Sequence, residues 1–143
     1  MTINQVSVFL ENESGRLAEA TAALDAHAID IRALSIADTT SFGVLRLIVS
    51  EPDKAAQVLR DAGFTVNQTK VVAVKLEDVP GALNSVLQVL KATNVNVEYV
   101  YAFIARKQDA AYVILRVEKP DEAAASLQNA GFTLIPAAAL YNL

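Results

Sequence analysis

The chain contains no cysteine and no tryptophan, and His27 is its single histidine. Without cysteine it can form no disulfide, no thiolate metal site and no thiol nucleophile. One histidine cannot supply a multi-histidine metal site or a histidine acid/base pair. We predict instead that His27 lies at the end of the first helix, where the helix dipole favours a cation. We expect no cofactor, no metal and no catalytic residues, so the sequence predicts a protein that is not an enzyme.

The chain also lacks an apolar run of the ~20 residues needed to span a bilayer. Residues 1–5 show no basic region followed by an apolar stretch, so no signal peptide is predicted. The hydrophobic fraction of 53% and the mean hydropathy of +0.32 are too high for a disordered chain. We therefore expect a soluble, globular, cytoplasmic protein with no membrane partner.

Basic clusters are absent as well. Residues 1–69 hold 5 Lys or Arg against 9 Asp or Glu, whereas residues 70–143 hold 7 of each. An acidic chain with a pI near 4.9 is a poor binder of phosphate backbones, so no nucleic acid partner is predicted.

The most informative feature that is present is a repeated turn. Residues 10–17 read LENESGRL and residues 76–83 read LEDVPGAL, which places Gly81 at an offset of 66 from Gly15. Further along, the offset becomes 68 and aligns Pro52 with Pro120, so we place two extra residues of the second copy near 106–109. The chain is thus predicted to contain two units, 1–69 and 70–143, each near the lower size limit for an independent core.

Each copy reads β-α-β-β-α-β, the split βαβ order of ferredoxin-like α+β folds. We expect hairpin loops at 38–41 and 106–109. Pro52 and Pro120 are expected in the first turns of the second helices, which should end at left-handed glycines, Gly63 and Gly131. A last strand is then expected to open at Phe64 and Phe132.

The third strand of each copy is apolar on both faces. We assign one face to the core, namely Leu45, Leu47 and Val49 with Val113, Leu115 and Val117. The opposite face holds Val44, Arg46 and Ile48 with Tyr112, Ile114 and Arg116. Because this second face is too apolar for water, we expect it to be covered by domain packing or by a homo-oligomer.

The Gly turn between strand one and helix one can hold a carboxylate or phosphate, since free N–H groups lie at a positive helix end. The alternative is that Gly15 and Gly81 only permit a tight turn. Arg16 favours an anion nearby, because the helix dipole disfavours a cation in the first turn by about 0.3–1 kcal/mol. Glu13 or Glu19 is the other candidate for this compensation.

Polar and aromatic side chains near the turns differ between the copies. Asn12 and Ser14 add neutral donors and acceptors, and Asp78 replaces Asn12 in copy two, which suits a zwitterionic ligand. In strand two, small residues of copy one are replaced by rings in copy two, so that Ala33, Ser35 and Ala37 correspond to Tyr99, Tyr101 and Phe103. Such a row can be a core, an interface, a ligand wall or an RNA-recognition surface, and the acidic charge argues against RNA.

The duplicated turn in this element order resembles a pair of ACT domains, and the whole chain is similar to stand-alone bacterial tandem-ACT proteins. Residues 78–83 (DVPGAL) fit the usual acidic-x-Pro-Gly-x-Leu turn, whereas Ser14 stands where proline is usual. The resemblance implies side-by-side pairing into an eight-stranded sheet, with amino acids bound between the turn of one unit and strand two of its neighbour. The implied ligand-binding positions are Asn12, Ser14, Gly15, Arg16, Leu17, Ser35, Ala37, Asp78, Gly81, Ala82, Leu83, Tyr99 and Tyr101.

The leading hypothesis is a non-catalytic regulatory protein that binds a free amino acid at the interface of paired ACT domains and works as a homo-oligomer, most simply a homodimer. A second hypothesis is a regulatory interaction subunit of a separate amino-acid-metabolism enzyme, with no ligand of its own. A third, minor hypothesis is an enzyme that uses Arg16 as a phosphate anchor, for which no nucleophile or base is evident.

Overall fold

The structure, a computed structural model, describes residues 1–38, 41–105 and 110–142. The chain divides into two compact units: a first unit, Asn4–Thr69, and a second unit, Lys70–Tyr141, with which Met1–Ile3 is grouped. Residues 39–40 of the first predicted hairpin loop and the whole of the second, 106–109, lie outside the described residues. The two extra residues of the second copy are predicted in this second loop, so their position is also outside.

The first unit contains β1 (Ile3–Glu11) from its second residue on, α1 (Arg16–Asp25), β2 (Ile31–Asp38), β3 (Phe42–Val49), α2 (Pro52–Asp61) and the beginning of β4 (Thr65–Leu76). Its strands lie in the order β2-β3-β1 and are antiparallel. Leu45 of the central strand β3 lies between Val8 of β1 and Ile36 of β2. The helices bury their apolar faces on one side of this sheet, around Leu24 of α1 and Leu59 of α2.

The second unit repeats the plan with the remainder of β4, α3 (Ala82–Ala92), β5 (Val97–Ala105), β6 (Ala110–Val117), α4 (Pro120–Asn129) and a short α5 (Ala137–Tyr141). Its strand order is β4-β6-β5, again antiparallel, with Val74 opposite Val113. The core of this unit surrounds Leu90 of α3 and Leu127 of α4. Two β-α-β-β-α units with six strands confirm the predicted tandem ferredoxin-like α+β fold.

Both second helices begin and end where the sequence predicts. Pro52 and Pro120 occupy the first helical positions, where the missing N–H costs nothing. At the other ends Gly63 and Gly131 adopt φ values of +94° and +93°. The next N–H, that of Phe64 or Phe132, donates back to the carbonyl of Leu59 or Leu127 at 3.0 Å and closes a Schellman motif.

Each helix of the described residues is too short or too polar to span a bilayer.

The predicted last strand of the second unit is wrong in extent. Instead of a strand, a single bridge joins Leu134 to Val74, flanked by the Lys75 N–H to Thr133 O and Ile135 N–H to Ala73 O bonds. The extended segment ends at Pro136, whose carbonyl accepts from the Leu140 N–H at 3.1 Å, and three alanines then start α5. Leu140 of α5 is fully buried, so this segment is part of the packed structure.

The two faces of the third strands agree with the sequence analysis in part. Leu45, Leu47 and Val49 belong to the first core, and the matching Val113, Leu115 and Val117 belong to the second. On the opposite face Ile48 and Ile114 have no exposed surface and Tyr112 is 3% exposed, whereas Val44, Arg46 and Arg116 are half-buried. The central apolar residues of this face are therefore buried, whereas the residues beside them keep part of their surface exposed.

Candidate ligand-binding turns

The turns after β1 and β4 have the same backbone. Gly15 and Gly81 both adopt a φ of +87°, a left-handed conformation that is readily available to glycine. The Glu13 N–H donates to Glu11 O at 2.8 Å, and the equivalent Val79 N–H donates to Glu77 O at 2.9 Å. Serine at position 14 therefore supports the same turn as proline at position 80.

Each turn presents the start of a helix without a side-chain cap. Gly15 and Gly81 are the N-cap residues of α1 and α3, and neither helix has a side-chain cap hydrogen bond. Residues 11–15 and 77–81 are exposed. The first N–H of each helix, that of Arg16 or Ala82, donates to Glu13 O or Val79 O at 3.4 Å. The N–H groups that follow it in each first turn are thus the ones available to an anionic group such as a carboxylate, which the helix dipole favours.

The Arg16 side chain packs against residues of its own unit. Its guanidinium carbon Cζ lies 4.5 Å from the centre of the Phe64 ring, and Nη1 donates to the Glu19 carboxylate at 2.6 Å. Its Nε is buried without a hydrogen-bond partner among the described residues. The sequence left open two sources of negative charge for Arg16, a bound anion or a neighbouring glutamate. The structure shows the Glu19 carboxylate beside the guanidinium, which also covers the Phe64 ring.

The second turn borders an open groove of about 980 Å³ within the second unit. Its wall combines the turn and the start of α3 with the segment that follows α4, and comprises Lys75, Leu76, Glu77, Asp78, Val79, Pro80, Gly81, Ala82, Asn84, Ser85, Gly131, Phe132 and Thr133. Three residues predicted from the sequence, Asp78, Gly81 and Ala82, are brought together here. Leu83 is not among the lining residues and is 36% exposed.

Sequence reasoning missed the part of the groove made by residues 131–133. The end of strand one and the start of strand four lie at the same edge of a ferredoxin-like sheet, and Lys75 N–H donates to Thr133 O at 2.9 Å. The repeat alignment of Gly131-Phe132 with Gly63-Phe64 was the available signal. It shows that both units have an aromatic ring beside this turn.

The strand-two candidates are not part of this groove. Ser35 and Ala37 lie opposite Arg46 and Val44 of β3, on the sheet face directed away from the helices. Tyr99 and Tyr101 likewise lie opposite Arg116 and Ile114 of β6, and their rings stack at 6.5 Å. Within the second unit the structure therefore separates Tyr99 and Tyr101 from the groove, and a site divided between neighbouring units stays a prediction.

The remaining candidates of the first turn are exposed. The Asn12 N–H donates 3.0 Å to Ser41 O, which ties the turn to the start of β3. Ser14 is exposed, and Leu17 is 39% exposed. Arg16, in contrast, is half-buried and lies over the Phe64 ring.

Comparison with known proteins gives a consistent picture. The chain matches the model of a family described as an ACT domain pair over residues 1–141. Protein BT0572 from Bacteroides thetaiotaomicron is 43% identical, with a TM-score of 0.93, over 100% of this chain and 98% of that one. The regulatory subunit of aspartate kinase from Thermus thermophilus, in its ligand-free form, shares the fold with a TM-score of 0.61 and 18% identity over 90% and 91% of the two chains. No curated protein sequence matches this chain.

Proposed function

Because the chain belongs to the family of ACT domain pairs, we propose that it is a cytoplasmic, non-catalytic sensing protein, which binds a free amino acid and thereby changes its association with itself or with an enzyme. The observation that carries this proposal is the duplicated Gly turn. Two uncapped helix N-termini, at Gly15 and Gly81, suit the α-carboxylate of an amino acid.

Polar groups beside the second turn suit the other half of a zwitterion. The carboxylates of Glu77 and Asp78 are exposed at the groove and supply acceptors for an α-ammonium group. The first turn has Asn12 in place of Asp78, so it offers a neutral acceptor. We therefore expect the second turn to bind an amino acid more tightly than the first.

Self-association is proposed through strand β2, the last strand in the order of the first unit. Leu34 and Ile36 on this strand are 53% and 44% exposed, although they lie opposite the buried Leu47 and Leu45. Exposed apolar residues on an edge strand favour pairing with another chain. We propose that two chains form a homodimer here, and that amino acids bind at the interface of paired ACT units.

Isothermal titration of the full chain against each of the twenty amino acids tests this function. We expect saturable heat with one amino acid or a small related group, and weaker binding in the Asp78→Asn variant. Arg16→Ala should not weaken it equally, because Arg16 is directed to Phe64 and Glu19. Absence of heat with all twenty would contradict the proposal, and identical losses in the two variants would contradict the inequality of the turns.

An interaction subunit without its own ligand is the second candidate function. It is favoured by two apolar side chains that remain exposed on the first unit, Phe9 at 41% and Phe42 at 46%. The centroids of their rings lie 6.5 Å apart. Co-purification from the native cells distinguishes the two, since a stoichiometric enzyme partner together with no amino-acid binding supports the interaction subunit.

A further inference from the structure

The two repeats differ in what covers the aromatic ring beside the turn. Phe64 in the first unit and Phe132 in the second follow the glycine cap of α2 and α4 in the same way. In the first unit the Arg16 guanidinium lies over the ring at 4.5 Å, and Phe64 is 6% exposed. The residue at the equivalent position of the second unit is Ala82, whose methyl group cannot reach across a ring.

The groove of the second unit lies where this arginine is missing. Ala82 and Phe132 both line it, and both pack at the margin of the same core. Phe132 is only half-buried, whereas its counterpart Phe64 is buried. The first unit therefore has a cation of its own chain over the aromatic ring, whereas in the second unit the ring is half-buried at the edge of the groove.

The charges around the groove also favour a cation. Glu77 and Asp78 contribute two carboxylates, and Asp78 replaces the neutral Asn12 of the first unit. Lys75 is the cationic side chain among the lining residues, which leaves an acidic excess of one. Ser85 replaces Glu19, the residue that pairs with Arg16, so in the second unit the negative charge comes from the turn and not from the helix.

We propose that this groove binds the side chain of a basic amino acid, arginine or lysine, with its cation on the face of Phe132 in the place that Arg16 takes in the first unit. This inference rests on the proposed function and names the class of ligand. The cation is recognised by the ring and by one of the two carboxylates, Glu77 or Asp78, while the other accepts from the α-ammonium group. The α-carboxylate of the same ligand is held by the N–H groups at the start of α3.

Paired ligands that differ only in charge give the first test and need no variant. Titrations of the full chain should show binding of arginine or lysine, with citrulline, the neutral counterpart of arginine, about tenfold weaker or worse because it loses a cation–π contact and an ion pair. If neutral amino acids bind and basic ones do not, this inference is overturned while the proposed function stands. If no amino acid binds, both are overturned.

The second test gives the second unit the arginine that the first unit has at the equivalent position. Ala82→Arg should place a guanidinium over Phe132 and reduce arginine affinity at least tenfold. Ala92→Arg is the matched control, because it adds the same charge to the same helix at its exposed far end, outside the groove. Equal affinities in the two variants, both checked by thermal unfolding to be folded, would contradict the proposal.

The reciprocal change provides an independent check. Arg16→Ala removes the guanidinium that covers Phe64 and should create a second, weaker site for arginine in the first unit. The measured stoichiometry should then rise by one ligand per chain. An unchanged stoichiometry up to millimolar arginine would show that the ring beside the turn does not select a cation.

Discussion

Replacing Gly81 with alanine tests the geometry of the ligand-binding turn. Gly81 adopts a φ of +87°, and a Cβ built there meets no heavy atom within 4 Å. Steric crowding therefore contributes nothing, and the cost comes from the left-handed backbone, about 1–2 kcal/mol for a residue with a Cβ. Because alanine restricts the unfolded chain and returns about 0.4–1 kcal/mol, we expect a net loss of about 1 kcal/mol.

Urea unfolding measures this loss. For an m-value of about 1–3 kcal/mol/M, a loss of about 1 kcal/mol lowers the midpoint by roughly 0.3–1 M with no change in slope. Gly81→Asn should recover part of the loss, since asparagine tolerates the left-handed region. Gly15→Ala is the matched variant, because its φ and its free space are the same. An unchanged midpoint for Gly81→Ala, or an asparagine variant as unstable as alanine, would refute the reasoning.

Three further predictions concern the core, the stacked arginine and the edge strand. Leu115→Ala, at a side chain with no exposed surface, should cost about 2–5 kcal/mol of unfolding free energy; a loss below 1 kcal/mol in urea unfolding would contradict its place in the core. Phe64→Leu should make Arg16 more accessible to dicarbonyl modification, because the guanidinium then lacks its ring; equal modification rates would argue against the contact. Leu34→Glu should convert a dimer into monomers in sedimentation velocity with little loss of stability, since this side chain is 53% exposed; an unchanged sedimentation coefficient would exclude β2 as the interface.

Local signals in the sequence predicted most of the fold. The prolines at 52 and 120 and the glycines at 63 and 131 act within a few residues of the chain, and the second helices begin and end at them as predicted. The prediction of a last strand in the second unit was wrong, because a short apolar segment is compatible with several secondary structures. Here the chain enters α5 instead, since the Pro136 carbonyl accepts from the Leu140 N–H at 3.1 Å and three good helix formers follow it.

The candidate site was predictable only in part. The turn residues Gly81 and Asp78 could be identified because the motif is contiguous, whereas Phe132 enters the groove through tertiary packing of the segment after α4. The direction of Arg16 was also undetermined, since a long side chain at a helix start can reach outward to a ligand or back to its own unit. Its contact with Phe64 is a choice of rotamer that depends on a ring 48 positions later in the chain.

The central claim is that an amino acid binds beside the second turn, and the glycine amides provide the most direct test. The chain has 5 glycines, of which Gly81 and Gly131 line the groove. In a ¹H–¹⁵N NMR titration with arginine and with lysine, the account predicts saturable shifts of the Gly81 and Gly131 signals, with smaller shifts at Gly63, whose neighbouring ring is already covered. If the Gly81 and Gly131 signals stay in place with these and all other amino acids, the account is contradicted.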